Sequence, residues 1–401
     1  MLRKSKRYVS LLIMVFLVVT VFVSGCGQSA ATGQGSSGTA KVVNIGWTGP
    51  LSGGAAQFGK DTLDGLNMAV DEINSAGGIT VNGQKYTFKV VALDDQYKPD
   101  MSATNGRRLA TQDKAPVIFV NHAGGTYALQ QFNTDSSNPF LLAVHSSDPG
   151  VAAHGNKLTF VGADPFTAQP DPYSKQAMQK FGKKLALIPA VTPYGQDWGK
   201  AMTSAWTNNG GTVTGTFPMD YNTETDYASY VTKALSTNPD VIFLGGPSQP
   251  DGLVIKEARQ QGFKGGFILC DQASMEDVAK VVSMTDLNGT IGFMPLSQLS
   301  SPGVKKFVAA FEAKYNRVPT FHNSGMYYDM KVIAKGMEKA GSVTDPAKIL
   351  TGMKQVLPIT DDSVPYQLNS INDKGQMIIG LYGTMISNGK YGQPFSITPQ
   401  Q

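Results

Sequence analysis

The sequence predicts an α/β protein built as two parallel-sheet lobes, and three observations carry that prediction. From Lys41 onward, short apolar runs rich in Val, Ile and Phe alternate with amphipathic stretches, the pattern of βαβ units and so of parallel sheets. The runs arrive in two successive sets of four, which suits two lobes better than one giant sheet. At 401 residues the chain is long enough to bury more than one core.

The N-terminal segment stands apart. Arg3, Lys4, Lys6 and Arg7 precede a nearly unbroken apolar run over 9–23 that ends in Val23-Ser24-Gly25-Cys26. A basic region followed by an apolar core shorter than the roughly 20 residues of a membrane-spanning helix reads as a signal peptide. Val-Ser-Gly-Cys resembles the lipobox of bacterial lipoproteins, in which the cysteine thiol takes a diacylglyceryl group. On that resemblance residues 1–25 are a lipoprotein signal peptide and Cys26 is the lipidated mature N-terminus, holding the protein to a membrane with the rest of the chain outside the cytoplasm. An uncleaved N-terminal anchor is the other reading of the same run. Residues 26–40 are a flexible tether, since GQSAATGQGSSGTA has no charge and no large apolar side chain.

Charge excludes a class of partners. The formal net charge is +4, but no Asp or Glu occurs before Asp61. Without the four basic residues of the leader, Lys and Arg fall from 34 to 30, equal to the 30 acidic residues. A neutral body gives no electrostatic case for nucleic acid. With Cys26 acylated, Cys270 has no second cysteine to pair with, so packing alone must hold the fold.

The elements follow in order. Strands are expected at 42–47, 87–93, 116–120, 140–144, 184–188, 212–217, 241–244 and 266–269, with 291–294 after them. Leu63, Leu66, Val70 and Ile73 recur at helical spacing, and Gly77-Gly78 ends that helix. A second helix runs from 253 to 261 and closes at Gly262. Phe307, Phe311 and Tyr315 share one face of a third, within 302–315, and a fourth covers 325–339. Strand-like runs at 366–369 and 377–382 flank a hairpin turn at Asn372-Asp373-Lys374-Gly375.

In open α/β sheets ligands bind beyond the carboxyl ends of the strands. The segments there are small and polar: Thr48 to Gly54, Asn121-His122-Ala123-Gly124-Gly125-Thr126, His145-Ser146-Ser147-Asp148, Thr192-Pro193-Tyr194-Gly195, Gly245-Gly246-Pro247-Ser248 and Asp271-Gln272. Glycine lets a backbone approach a ligand closely, and helix N-termini favour a carboxylate. The same residues also make turns and cap helices.

These stretches, with the opening VVNIGWTGPLSGGAAQFGKDTLDGLNMAVDEINSAGGI, then ALDDQYKPDMSATNGRRLA, TPYGQDWG and NPDVIFLGGPSQPDGLVIKEARQQGFKGGFIL, resemble the leucine-, isoleucine- and valine-binding proteins of ABC importers, the type I periplasmic binding fold. The resemblance runs from about Val42 to Tyr382. It implies two Rossmann-like parallel-sheet lobes joined by three crossovers near Phe160, Pro295 and Val356. The first lobe would comprise 41–160 and 296–355, the second 161–295 and 356–398. It implies further a small solute, an amino acid of the branched-chain or related type, captured between the lobes and delivered to a membrane permease. In this family the solute's carboxylate is held by groups matching Gly124, Gly125, Thr126, Ser146 and Ser147. Asp271 matches the carboxylate that meets the ammonium, and Phe58, Tyr194 and Tyr327 match the aromatic cover. The chain departs from the family at AGGT in the third-strand loop, at Phe58 where tyrosine is frequent, and at Pro247-Ser248. Those departures leave an aromatic carboxylate or an amide open as ligand, and His122 and His145 open as pocket residues. A sensor role beside a membrane receptor fits the same residues.

Other chemistries fit worse. Gly54 to Lys60 mimics a phosphate-binding loop, but Asp61 stands where Ser or Thr should hold magnesium. His122, His145, His154 and His322 lack metal-ligand spacing. No G-x-S-x-G elbow is present. The expectation is a binding protein with no cofactor, no metal and no catalysis.

Overall fold

The computed structural model describes residues 39–397. The expected signal peptide, Cys26, all but the last two tether residues and the expected second-lobe end at residue 398 lie outside the described residues.

The first lobe opens with β1 (Lys41–Gly49), in which every residue from Ile45 onward is buried. It leads into α1 (Ala56–Ser75), which turns Leu66 and Val70 into the core and packs Leu63 and Ile73 at its margin. Gly77 and Gly78 then take φ of +97° and +78°, and their N–H groups close on the carbonyls of Asn74 and Ile73, so the glycines end the helix as expected. A hairpin of β2 (Ile79–Val81) and β3 (Gln84–Asp94) follows. After it come α2 (Pro99–Thr111), β4 (Val117–Val120), α3 (Ala123–Gln130), β5 (Leu141–Val144), α4 (Pro149–Ala153) and β6 (Thr159–Val161). The strand order is β2-β3-β1-β4-β5-β6, parallel from β3 onward.

The chain then crosses to the second lobe through α5 (Pro170–Phe181), β7 (Lys184–Pro189), α6 (Pro193–Asn208), β8 (Thr212–Thr216), α7 (Tyr227–Leu235), β9 (Val241–Gly245), α8 (Ser248–Gln260), β10 (Gly266–Leu269), α9 (Met275–Val278) and β11 (Thr290–Phe293). It crosses back for α10 (Pro302–Tyr315), α11 (Phe321–Ala340) and α12 (Pro346–Val356). Phe307, Phe311, Met326, Ile333 and Met353 of these helices join the same apolar cluster as Ile45 and Leu66 of the first lobe. Each such buried side chain contributes about 1.5–3 kcal/mol, which is why a segment so late in sequence docks there. β12 (Ser370–Ile371) and β13 (Met377–Ile378) still pack with the first lobe, Ile371 and Met377 joining its apolar cluster, and after a third passage at 379–380 the chain ends in β14 (Leu381–Ser387), β15 (Lys390–Tyr391) and β16 (Phe395–Ile397). The second sheet runs β15-β14-β11-β10-β9-β7-β8, with β16 beside β14.

Two expectations need correction. Residues 366–369 form no strand: Leu368 makes a single bridge to Ile359, and Tyr366 is directed to a cavity instead. The run 377–382 is broken, because the N–H groups of Ile379 and Gly380 donate to Asp164 at 2.9 and 2.8 Å and Gly380 sits at φ +82°. That clamp ties the third passage to the first. The turn at Asn372 to Gly375 is present, joining β12 to β13.

Candidate functional site

The carboxyl ends of the two sheets face one another and enclose a cavity of about 60 Å³. At roughly 10–15 Å³ per water this holds on the order of five waters, so an occupant must be compact. From the first lobe it is lined by Phe58, Tyr97, Asn121, His122, Ala123 and the His145-Ser146-Ser147 run, with Phe321, His322 and Tyr328 from α11. Tyr194, Asp271, Gln272 and Phe293 line it from the second lobe, and Ala163, Asp164, Tyr366, Ile379 and Leu381 from the passages between lobes.

Of the residues expected at a site, Phe58, Ser146, Ser147, Tyr194 and Asp271 therefore meet at this cavity, together with His122 and His145. Gly124, Gly125, Thr126 and Tyr327 do not line it. The reason in the third-strand loop is local: His122 caps α3, its Nδ1 accepting from Gly125 N at 3.0 Å, and the Thr126 N–H and hydroxyl both bond back to the His122 carbonyl. Those donors are spent on starting the helix. Tyr327 points the wrong way around α11, its hydroxyl donating to Glu72 at 2.5 Å and its ring lying 5.0 Å from Phe307. The next residue, a turn of about 100° further on, brings Tyr328 to the cavity, where its hydroxyl holds the Gly162 carbonyl at 2.6 Å.

Asp271 is buried beside a polar cage. The Tyr194 hydroxyl and Trp198 Nε1 both donate to its Oδ1, the latter at 3.0 Å, while Trp198 stacks on Phe166 at 4.8 Å. Burial raises the Asp271 carboxyl above its ordinary range, and hydrogen bonds from Ser147, Tyr194 and Trp198 pull it back. No Lys or Arg lines the cavity, so its charge is carried by Asp164 and Asp271.

The histidines form two systems. His122 Nε2 bonds Asp95 Oδ2 at 3.0 Å inside the first lobe. His145 and His322 bond one another, Nε2 to Nδ1 at 3.1 Å, and His322 Nε2 reaches the Gln272 carbonyl at 3.1 Å. A carbonyl can only accept, so His322 carries its hydrogen on Nε2, accepts at Nδ1, and receives a hydrogen from His145. Both rings are neutral: burial pushes His145 down to about 4, and burial with the adjacent His145 pushes His322 well below the usual imidazole range. Phe58 meets the His322 ring edge to face at 4.7 Å. Among the described residues no group of His, Cys, Asp and Glu is placed to hold a metal ion.

The lobes touch around this cavity. Asn222 Nδ2 donates to the Gln96 carbonyl at 3.2 Å, its own carbonyl accepts from Gly54 N at 3.2 Å, and Gln272 Nε2 donates to the Tyr97 hydroxyl at 2.8 Å. The two lobes are thus in direct contact beside the cavity. Residues 42–390 match the sequence profile of the periplasmic binding proteins. The chain belongs to that family. It is 25% identical over 339 residues to Leu/Ile/Val-binding protein homolog 3 of Brucella melitensis, with 84% of this chain and 89% of the other covered. The branched-chain amino acid transporter substrate-binding protein LivJ of Streptococcus pneumoniae, solved with isoleucine, superposes with a TM-score of 0.75 at 22% identity, over 90% of this chain and all of that one. A solute-binding protein of an ABC transporter from Rhodopseudomonas palustris, solved with 3,4-dihydroxybenzoic acid, does so at 0.76 and 17% identity, over 89% and 98%. The architecture is thus the type I periplasmic binding fold, and the chain is a solute-binding protein of the ABC transporter type, a family that works outside the cytoplasm.

Sequence reasoning passed over Tyr97, Asp164, Phe293, Phe321, His322, Tyr366, Ile379 and Leu381 as cavity residues. Tyr97 lay inside a stretch already quoted for its resemblance. The residues of the third passage gave no signal, because their place depends on Asp164 more than 200 positions earlier.

Proposed function

We propose that this protein captures a small amino acid, branched-chain or related, between its lobes and hands it to the permease of an ABC importer, held to the membrane by lipid on Cys26. The observation that carries the reading is the cavity's charge: a buried Asp271 carboxylate, an aromatic wall, and no Lys or Arg. An ammonium group finds its counter-charge at Asp271, and closure excludes water, which strengthens the contact. Ser147 hydrogen-bonds Asp271, so the neighbouring Ser146 is the hydroxyl donor for the carboxylate, with Phe58 and Tyr194 against the side chain. A plain aromatic acid of the kind bound by the R. palustris protein would bring a negative charge to two carboxylates with no cation to balance it. The chemistry is binding followed by release, with no bond made or broken.

A thermal-shift panel of L-amino acids, benzoates and amides tests this. A solute at 100 times its Kd should add about 2.7 kcal/mol of stability. Leucine, isoleucine, valine or a close relative should raise the melting temperature most. Stabilisation by benzoates alone would replace the amino acid with an aromatic acid, and silence across the panel would end the solute reading.

A further inference from the structure

The tip that follows β3 is built against local preference. Gln96 and Tyr97 both lie in the left-handed region, at φ +55° and +62°, which side chains with a Cβ disfavour and bulky aromatic ones most. The first lobe forces the turn: Gln96 N donates to Asp94 Oδ1 at 2.8 Å and Tyr97 N to Asp95 Oδ1 at 2.9 Å. The resulting pose lays the Tyr97 ring on His122 at 4.6 Å and along the cavity. The second lobe then grips this tip twice, through Asn222 on the Gln96 carbonyl and Gln272 Nε2 on the Tyr97 oxygen. Gln272 is itself held on its other side, where its backbone carbonyl accepts from His322 of the first lobe.

One residue of the second lobe is therefore clamped between two cavity-lining side chains of the first. It is also the immediate neighbour of Asp271. The direction of the bonds has a consequence. Gln272 donates to the Tyr97 oxygen, so the phenol hydrogen is directed away from that amide, on a ring that borders the cavity.

We propose that Tyr97 is a solute-contacting residue that donates its hydroxyl hydrogen to an oxygen of the solute, and that Gln272 is its positioning residue, a latch that holds this donor in place only when the lobes have shut. This rests on the two-lobed solute-clamp reading and adds to it the group that couples contact to closure. The solute class is accordingly one with an oxygen acceptor at the seam between the lobes, such as a carboxylate or carbonyl.

The test uses Y97F, Q272A and the double variant in the full chain. A donor–acceptor dye pair on ketone-bearing residues introduced at the exposed Lys89 and Lys233, one on each lobe, reports lobe separation with and without L-leucine. Stopped-flow binding of L-leucine, or of whichever panel compound binds, separates association from dissociation. Each single variant should reduce the shut fraction without solute. Q272A should speed dissociation about three- to tenfold, the effect of one neutral hydrogen bond. Y97F, which also loses the bond to the solute, should speed it about three- to tenfold more, and an equal effect of the two would overturn the solute contact. Association should stay unchanged. The double variant should do no more than Y97F, since both changes remove the same bond. Unchanged lobe separation, a loss confined to association, or additive effects would each overturn the latch. If no compound binds, the amino-acid reading fails, and lobe separation without solute still decides the latch.

Discussion

Two Asp-Gln pairs stand at the carboxyl ends of strands on opposite sides of the cleft, Asp95-Gln96 after β3 and Asp271-Gln272 after β10. In sequence they look alike, and the structure uses them differently. Asp95 is fully buried and satisfied inside its own lobe: its oxygens accept from Thr48 Oγ1 at 3.1 Å, Ser102 Oγ at 2.7 Å, Tyr97 N at 2.9 Å and His122 Nε2 at 3.0 Å. Asp271 borders the cavity, and its partners come from both lobes, Tyr194 and Trp198 from the second and Ser147 from the first. The glutamines split likewise, Gln96 offering a carbonyl that is gripped and Gln272 supplying the amide that grips. A carboxylate whose partners all belong to one rigid body builds a platform. One whose partners straddle the cleft is free to register a ligand.

The largest effect expected from this contrast is on stability at Asp95. Asp95→Ala leaves four donors, one of them an imidazole, facing a cavity in the core, and should cost about 3–5 kcal/mol in chemical denaturation. A loss below about 1 kcal/mol would show the platform to be unnecessary. Asp271→Ala should instead act on binding, weakening a zwitterion by about 2–5 kcal/mol through loss of a desolvated charge partner. Because the substitution also strands the Tyr194 and Trp198 donors, Asp271→Asn is the sharper variant: it keeps an acceptor for them and removes only the charge. Calorimetry with L-leucine that finds equal affinity for wild type and Asp271→Asn would move the ammonium elsewhere in the cavity.

Much of this was legible in the sequence where local pattern decides the outcome. The nine strands expected up to residue 294 coincide with observed strands, because runs such as Val241 to Leu244 are completely buried and buried parallel strands read as continuous apolar stretches, whereas the run at 366–369 does not. The sheets are larger than the expected four strands each, with six and eight strands: β2, β6, β15 and β16, of two or three residues, are too brief to show a period, and β11 and β14 extend the second sheet. The lining of the cavity was legible at positions set by one loop, as at Ser146, Ser147 and Asp271. It was not legible where a partner decided the matter. Gly124 to Thr126 have the composition of a ligand-binding loop, yet His122 claims the donors of Gly125 and Thr126. Tyr327 and Tyr328 are adjacent aromatics, and only the packing of Tyr327 on Phe307 settles which one faces the cavity. Tyr97 requires a left-handed backbone that no propensity suggests.

The second histidine system allows the comparison to be pressed with pH. His122 faces a carboxylate, whereas His145 faces only His322, so acid adds charge to the latter pair with nothing to receive it. The folded-state pKa of His145, about 4, lies below the ordinary 6.5. A group depressed in this way stabilises the fold fully above about pH 6.5, and that contribution is lost as pH falls toward 4. The difference corresponds to about 3 kcal/mol at the acid end. Other buried groups work with the opposite sign, since burial pushes Glu276 up to about 8 and raises Asp251 and Asp329 strongly. The informative quantity is therefore the stability of wild type minus that of His145→Asn at each pH. The asparagine retains a donor for His322 but cannot take up a proton in this range. That difference should favour wild type at pH 7 and shrink steadily between 6.5 and 4. A difference independent of pH would mean that the ring takes up its proton as readily in the folded protein as in the unfolded chain, and the neutral His145–His322–Gln272 chain would have to be redrawn.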